Sequence, residues 1–109
     1  MPWLLRDGEV LAALEVADGP IGRMRGLLGR DGIDGGFHLK PTRSVHTIGM
    51  RFPIDVAFCD RRLIVVACVC MVPNRVGRLR IRARSVIEAE AGAFERWGLK
   101  TGDQLEIKE

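Results

Sequence analysis

His46 and Asp55 are the residues whose types and spacing most suggest chemistry in this chain. A histidine oriented by a carboxylate can act as a general base or a proton shuttle near neutral pH. No serine or cysteine stands beside them in a recognisable nucleophile motif. Asp55 also lies between Ile54 and Val56, where a buried carboxylate must be hydrogen-bonded or paired. Arg51, His46 or a turn amide could supply that partner, so a functional and a structural interpretation both stay open.

A second feature is a run of arginines that alternates with apolar residues from position 78 to 84. The alternation predicts a half-buried β-strand in which Leu79, Ile81 and Ala83 face inward. Guanidinium groups on the outer face could bind anions, or could be solvated or paired with Glu88 or Glu90. No aromatic residues interleave to stack bases, so sequence-specific nucleic-acid binding is not indicated. The candidate anion-binding residues are Arg75, Arg78, Arg80, Arg82 and Arg84.

The chain has three cysteines, at positions 59, 68 and 70. Cys68 and Cys70 would point to the same face of a strand, and with Cys59 and His46 they could in principle bind zinc. Their apolar neighbours favour ordinary buried thiols instead. An odd number of cysteines without framework spacing also argues against a disulfide scaffold. We therefore expect reduced thiols, no metal and no cofactor.

Length and composition are those of a small globular protein. A chain of 109 residues, 47% of them hydrophobic, can bury an ordinary core, so we expect a single domain over residues 1–109. The net charge of +3 hints at anionic partners without establishing them. The first ten residues lack the features of a secretory signal, and the longest apolar run, residues 63–72, is about half the length of a membrane-spanning helix. These features predict a cytoplasmic protein without a membrane span.

The remaining patterns predict short strands and two short helices. Residues 3–16 form two apolar stretches about Asp7-Gly8, which indicates a β-hairpin. Helical spacing follows over residues 20–28, and a second helix is expected over residues 91–97, ended by Gly98. Further strands are predicted at residues 37–39, 44–47, 52–59, 63–72, 85–89 and 104–108. The run 63–72 is expected to be a central strand buried on both faces.

Packed together, these elements predict a mainly β (α+β) protein. The expected architecture is a compact antiparallel β-barrel or sandwich with one or two short helices.

Two stretches carry a resemblance to a known family. They are HTIGMRFPIDVAF at residues 46–58, and VIEAEAG at residues 86–92 followed by GLKTGD at residues 98–103. With RGLL at residues 25–28, they resemble domain-of-unknown-function family 192, a group of small bacterial and archaeal proteins. The resemblance implies a β-rich single domain with no assigned reaction and no established cofactor. The chain departs from the commoner family pattern at His46-Thr47, where that pattern has Trp-Met.

The resembling stretches also single out Glu88 and Asp103. Paired carboxylates could do acid/base work if the fold brought these residues near Asp55. Asp103 follows Gly102, so it could equally be a turn residue that satisfies its own backbone.

Two functional hypotheses follow. The first is a non-catalytic binding or accessory domain that holds a small polar or anionic ligand, or a protein partner, through His46, Arg51, Asp55 and Glu88. The alternative is a hydrolase that uses His46 with Asp55 or Glu88, although no nucleophile motif, metal site or cofactor fingerprint accompanies these residues. A His46 within hydrogen-bond reach of a carboxylate in an open pocket would favour catalysis.

Overall fold

The computed structural model describes residues 2–17, 22 and 26–109. These residues include seven strands: β1 (Trp3–Arg6), β2 (Glu9–Val16), β3 (Gly36–Leu39), β4 (Ile54–Cys59), β5 (Val65–Met71), β6 (Ser85–Glu90) and β7 (Leu105–Lys108). A short helix, α1 (Ala93–Trp97), lies between β6 and β7. The mostly β prediction is therefore confirmed. The helix predicted over residues 20–28 falls largely outside the described residues.

The strands form one sheet in the order β5-β4-β6-β3-β2-β1-β7. All neighbouring pairs are antiparallel except β2 and β3, which pair in parallel, so the sheet is mixed. The two outer strands meet near their starts, where Ile64 and Gln104 form an isolated bridge and the Val65 N–H donates to the Asp103 carbonyl at 2.9 Å. The sheet thus curls as in a barrel but is not closed into one.

The apolar run 63–72 forms strand β5, but this strand lies at the end of the sheet rather than at its centre. The middle strand of the sheet is β3, all of whose residues are buried. This end strand can be apolar on both faces because a hydrophobic cluster packs against each of them. Val66, Ala67 and Val69 pack against one hydrophobic cluster, and Cys68 packs against the other.

The sheet carries a hydrophobic cluster on each face. One cluster includes Phe37 and Val56, and we call this side the cavity face. The other includes Ile87 and Phe94 of α1, and we call this side the helix face. Neighbouring residues of a strand point to opposite faces, so these assignments fix the direction of every other side chain on β3, β4 and β6.

Residues 78–84 do not form the predicted strand. They make an irregular segment with a turn at residues 81–82, and Leu79 and Ile81 are 65% and 75% exposed. Only Ala83 is buried as predicted, while the Arg80 guanidinium packs over the Phe58 ring at 5.3 Å. A strand needs a continuous hydrogen-bonding neighbour, and this segment instead donates single bonds to separate carbonyls, Arg80 N–H to Arg43 and Arg84 N–H to Cys59.

Several local predictions are confirmed. The hairpin turns at Asp7-Gly8, whose φ angles of 52° and 79° suit the expected tight turn. Helix α1 ends at Gly98, whose φ of 65° is left-handed.

The predicted strand 44–47 is reduced to one bridge between His46 and Val76. Within the part of the chain that is described, no helix is long and apolar enough to span a membrane.

Candidate ligand-binding site

A small cavity on the cavity face brings together two of the predicted site residues. Its volume is about 90 Å³, which is room for a few water molecules. Apolar side chains form much of the wall, and the polar groups are two hydroxyls, one imidazole and one carboxyl. The lining residues are Gly26, Leu27, Leu28, Leu39, Thr42, Ser44, Val45, His46, Met50 and Glu88. We call this the Glu88 cavity.

Glu88 is the buried polar group of the cavity. It lies on β6 opposite Phe37 of β3 and Val56 of β4, and it is 5% exposed. Burial raises the pKa of this carboxyl to about 7, because the ionised form loses its hydration. Within the described residues, no hydrogen bond or ion pair stabilises the Glu88 carboxylate. The cavity therefore contains a carboxyl group that changes charge near neutral pH.

His46 lies at the exposed rim of the same cavity. Its Nδ1 accepts a hydrogen bond from the Ile48 N–H at 3.3 Å. A neutral imidazole with Nδ1 as acceptor carries its proton on Nε2. His46 therefore offers an N–H donor rather than a free lone pair.

Thr47 holds the His46 loop in place. It is completely buried, and its hydroxyl donates to the Val72 carbonyl at 2.7 Å and accepts the Arg75 N–H at 2.9 Å. Asn74 adds a second tie by accepting the Gly49 N–H at 3.0 Å. Sequence reasoning did not single out Thr47 or Asn74 as site residues.

Asp55 lies on the helix face, opposite Ala89, and not in the Glu88 cavity. It is 8% exposed, and its Oδ2 accepts the N–H groups of Gly92 and Phe94 at 3.0 and 3.1 Å. These donors lie at the start of α1, whose N-cap position is a glycine without a capping side chain. Asp55 thus caps the helix from a neighbouring strand, which is the structural pairing with turn amides that the sequence left open.

Arg51 and Asp103 also lie apart from the cavity. Arg51 is exposed and contacts Asp31 at 3.1 Å. Asp103 accepts hydrogen bonds from Arg6 and from the Lys100 N–H, both at 3.0 Å. Burial alone would raise the pKa of Asp103, but these hydrogen bonds and the two positive charges lower it. Asp103 is therefore a turn residue, and its contact with Arg6 links this turn to β1.

The cysteines occupy different environments. Cys68 and Cys70 both lie on the helix face, but only Cys59 is fully buried, and Cys70 is exposed. The expectation that all three are buried was therefore wrong, because β5 is an end strand. Burial raises the pKa of Cys59 to about 12. No group of three or more His, Cys, Asp or Glu side chains suited to a metal ion occurs among the residues described.

The predicted anion-binding arginines lie on the irregular segment 75–84, which we call the arginine segment. Arg75, Arg78, Arg82 and Arg84 are exposed, whereas Arg80 is half-buried on Phe58. None of these arginines forms a salt bridge with a described acidic residue. Large apolar side chains share this surface: Val72, Val76, Leu79 and Ile81 are 47% to 76% exposed.

This geometry defines a class of protein, a small β-rich domain whose curled mixed sheet holds a buried carboxyl in a small cavity. The model of the DUF192 family, described as uncharacterized ACR, matches residues 4–107. The chain therefore belongs to the DUF192 family, as the motifs at residues 46–58 and 86–103 predicted.

Two solved structures share the fold. A protein of unknown function from Novosphingobium aromaticivorans has a TM-score of 0.81 at 19% identity, with 96% of this chain and 82% of that chain covered. A candidate transcription regulator from Sinorhizobium meliloti has a TM-score of 0.79 at 22% identity, with 97% and 91% covered. No curated protein matches this sequence. These similarities establish the family and the fold, and they assign no reaction.

Proposed function

We propose that the protein is a non-catalytic binding domain whose Glu88 cavity holds a small polar ligand, or the polar end of a larger one. The observation that carries the proposal is the position of Glu88, a buried carboxyl at a cavity wall without a described partner. A buried polar group without a hydrogen bond is costly, so such groups commonly await a ligand or an ordered water.

The chemistry of the cavity favours a ligand with N–H donors. No described lysine or arginine lines it, so an ammonium or amide group would supply the partner that the Glu88 carboxylate lacks. Thr42 and Ser44 offer hydroxyls that can accept or donate, and Leu39 and Met50 provide apolar walls. The volume of about 90 Å³ limits the enclosed part of the ligand to a few heavy atoms.

Binding is favoured over the hydrolase alternative by the tautomer of His46. In a serine triad, one ring nitrogen accepts the serine proton while the other donates to a carboxylate. Ser44 and Glu88 line the cavity with His46, but His46 Nδ1 is already taken by the Ile48 N–H. The remaining Nε2 carries the ring proton, so it can donate to Glu88 but cannot accept the proton of Ser44. Asp55 faces away and cannot replace Glu88.

Titration with small probes followed by NMR tests this proposal. We expect methylammonium chloride or acetamide, added at pH 8, to shift the signals of Leu39, Val45 and Met50 in a saturable manner in the millimolar range. Glu88→Gln should lose the response to methylammonium, while the exposed Glu106→Gln on β7 should keep it. Sodium chloride at equal concentration controls for ionic strength. A response that is absent, or that is equal in Glu88→Gln, would contradict the proposal.

A second candidate activity rests on the arginine segment. We propose that its exposed arginines give weak, sequence-independent binding to a polyanion, because no described acidic side chain neutralises them. The absence of aromatic side chains on this segment disfavours base stacking.

We further propose a cytoplasmic location. All three cysteines are free thiols, and one of them is exposed, which suits a reducing compartment.

A further inference from the structure

A second concave site lies on the opposite side of the sheet from the Glu88 cavity. Phe37 pairs with Glu88 and shares its face, so the next residue of β3, His38, points to the helix face. His38 lies at the base of a groove of about 750 Å³ between the end of β3, the β4–β5 turn and β7. This volume is typical of pockets that hold small molecules.

The base of the groove is polar and buried. His38 is 4% exposed, and its Nε2 has no hydrogen-bond partner among the described residues. Ser85 is also 4% exposed and lies near His38 on the same face, because His38 pairs with Ile87 and Ser85 is two residues before it. Burial and the charge of Lys40 lower the pKa of His38 to about 4, so the ring is neutral at physiological pH. A neutral imidazole and a hydroxyl can both donate hydrogen bonds to an anion.

The charged groups at the mouth are mostly positive. Lys40, Arg61 and Arg84 line the groove, together with the carboxylates of Asp60 and Glu109. The Asp60 carboxylate is already engaged, since it accepts the Arg62 and Ile64 N–H groups at 2.8 and 3.0 Å. Lys40 and Arg61 are exposed and can turn toward a ligand, whereas the Arg84 guanidinium already donates to the Ile81 and Ala83 carbonyls at 3.1 and 3.0 Å.

Apolar side chains form the remaining wall. Val16, Leu63 and Ile107 line the groove, and Val16 is 46% exposed. A hydrocarbon group that binds there removes apolar surface from water, and this removal stabilises the complex.

From this arrangement we infer that the His38 groove binds a small organic anion with an apolar body, such as a medium-chain carboxylate. The anionic group is hydrogen-bonded by His38 and Ser85 and attracted by Lys40 and Arg61. The apolar body packs on Val16, Leu63 and Ile107. The site is independent of the Glu88 cavity, because the two lie on opposite faces of the sheet.

Sodium hexanoate is a suitable probe, and hexanol is its uncharged control. We expect hexanoate to shift the methyl signals of Val16, Leu63 and Ile107 and the ring signals of His38, with hexanol bound more weakly. His38→Phe keeps a ring but removes the polar atoms, so it should weaken hexanoate binding roughly tenfold or more. The same variant should keep or raise the melting temperature, because it removes a buried polar atom without a partner.

Variants of exposed residues test the same inference if His38→Phe does not fold. Lys40→Gln with Arg61→Gln should weaken hexanoate binding several-fold, whereas Arg82→Gln, on the exposed arginine segment, should not. Glu88→Gln should also leave hexanoate binding unchanged. The inference would be overturned if hexanoate caused no saturable shifts at the groove, or bound equally to wild type and to the Lys40/Arg61 variant. A high-resolution structure in hexanoate with only water at His38 would overturn it as well.

Discussion

Glu88 and Asp55 project from opposite faces of the sheet although their strands are hydrogen-bonded neighbours. Val56 is the cross-strand partner of Glu88, and Ala89 is the partner of Asp55, so the two carboxylates are out of step by one residue. One carboxylate caps a helix and the other lines a cavity. The two acidic residues that the sequence offered as alternatives for one site therefore have separate roles.

Removal of the Asp55 carboxylate should destabilise the fold. Asp55→Ala leaves the Gly92 and Phe94 N–H groups without their acceptor, and we expect a loss of about 1–3 kcal/mol in the free energy of unfolding. Asp55→Asn retains one acceptor oxygen and should lose less. Urea denaturation followed by circular dichroism measures both changes.

The matched control for Asp55 is Asp31, an exposed residue that pairs with the exposed Arg51. Asp31→Ala should change stability by less than about 0.5 kcal/mol. Equal stability of wild type and Asp55→Ala would show that the capping contacts contribute nothing.

Glu88 should make stability depend on pH in a defined direction. Its pKa in the folded protein is about 7, above the ordinary value of 4.5. Between these values the unfolded chain has released the proton and the folded protein still holds it, so raising the pH favours unfolding. Relative to Glu88→Gln, the wild type should lose about 3 kcal/mol from pH 4.5 to pH 7 and then level off. If the free energy of unfolding of the two proteins changed with pH in the same way, Glu88 could not be a buried carboxyl without a partner.

The arginine segment should account for retention on heparin at low salt. Arg78→Ser with Arg82→Ser removes two exposed guanidinium groups without touching Arg80, which packs on Phe58. This variant should elute at lower salt than wild type. The exposed pair Arg62 and Arg96 lies elsewhere on the surface, so replacing both by Ser gives a control of equal charge. Equal elution of the two double variants would mean that net charge alone governs binding.

The three thiols should react in order of exposure. Cys70 is exposed, Cys68 half-buried and Cys59 fully buried, so alkylation of the native protein should label Cys70 first and Cys59 only after unfolding. We also expect the native mass to be that of the reduced chain without zinc. A mass lower by two hydrogens, or rapid labelling of Cys59, would contradict this assignment.

Features that depend only on residues adjacent in the sequence could be predicted. The Asp7-Gly8 hairpin and the end of α1 at Gly98 follow from residues that favour left-handed backbone, and both were confirmed. The motifs of the family carried the same kind of local information, since each is a contiguous stretch.

Features that depend on strand order could not be predicted. The alternation at residues 78–84 predicted a strand, but no strand of the described residues lies beside it to complete a ladder. Arg80 instead packs on Phe58, which belongs to a distant part of the chain. Likewise, the burial of Glu88 depends on Phe37 and Val56, which reach it only when three strands pair. His38 gave no signal in the sequence, because its surroundings come from the turn after β4 and from β7.

A crystal structure of the protein soaked with methylammonium at pH 8 tests the central claim most directly. At that pH most Glu88 carboxyls should be ionised, since the pKa is about 7. The account predicts the probe in the Glu88 cavity, with its nitrogen about 2.7–3.2 Å from a Glu88 carboxylate oxygen. A wild-type cavity that contains only water would contradict it. Methylammonium bound equally well in Glu88→Gln crystals would contradict it too.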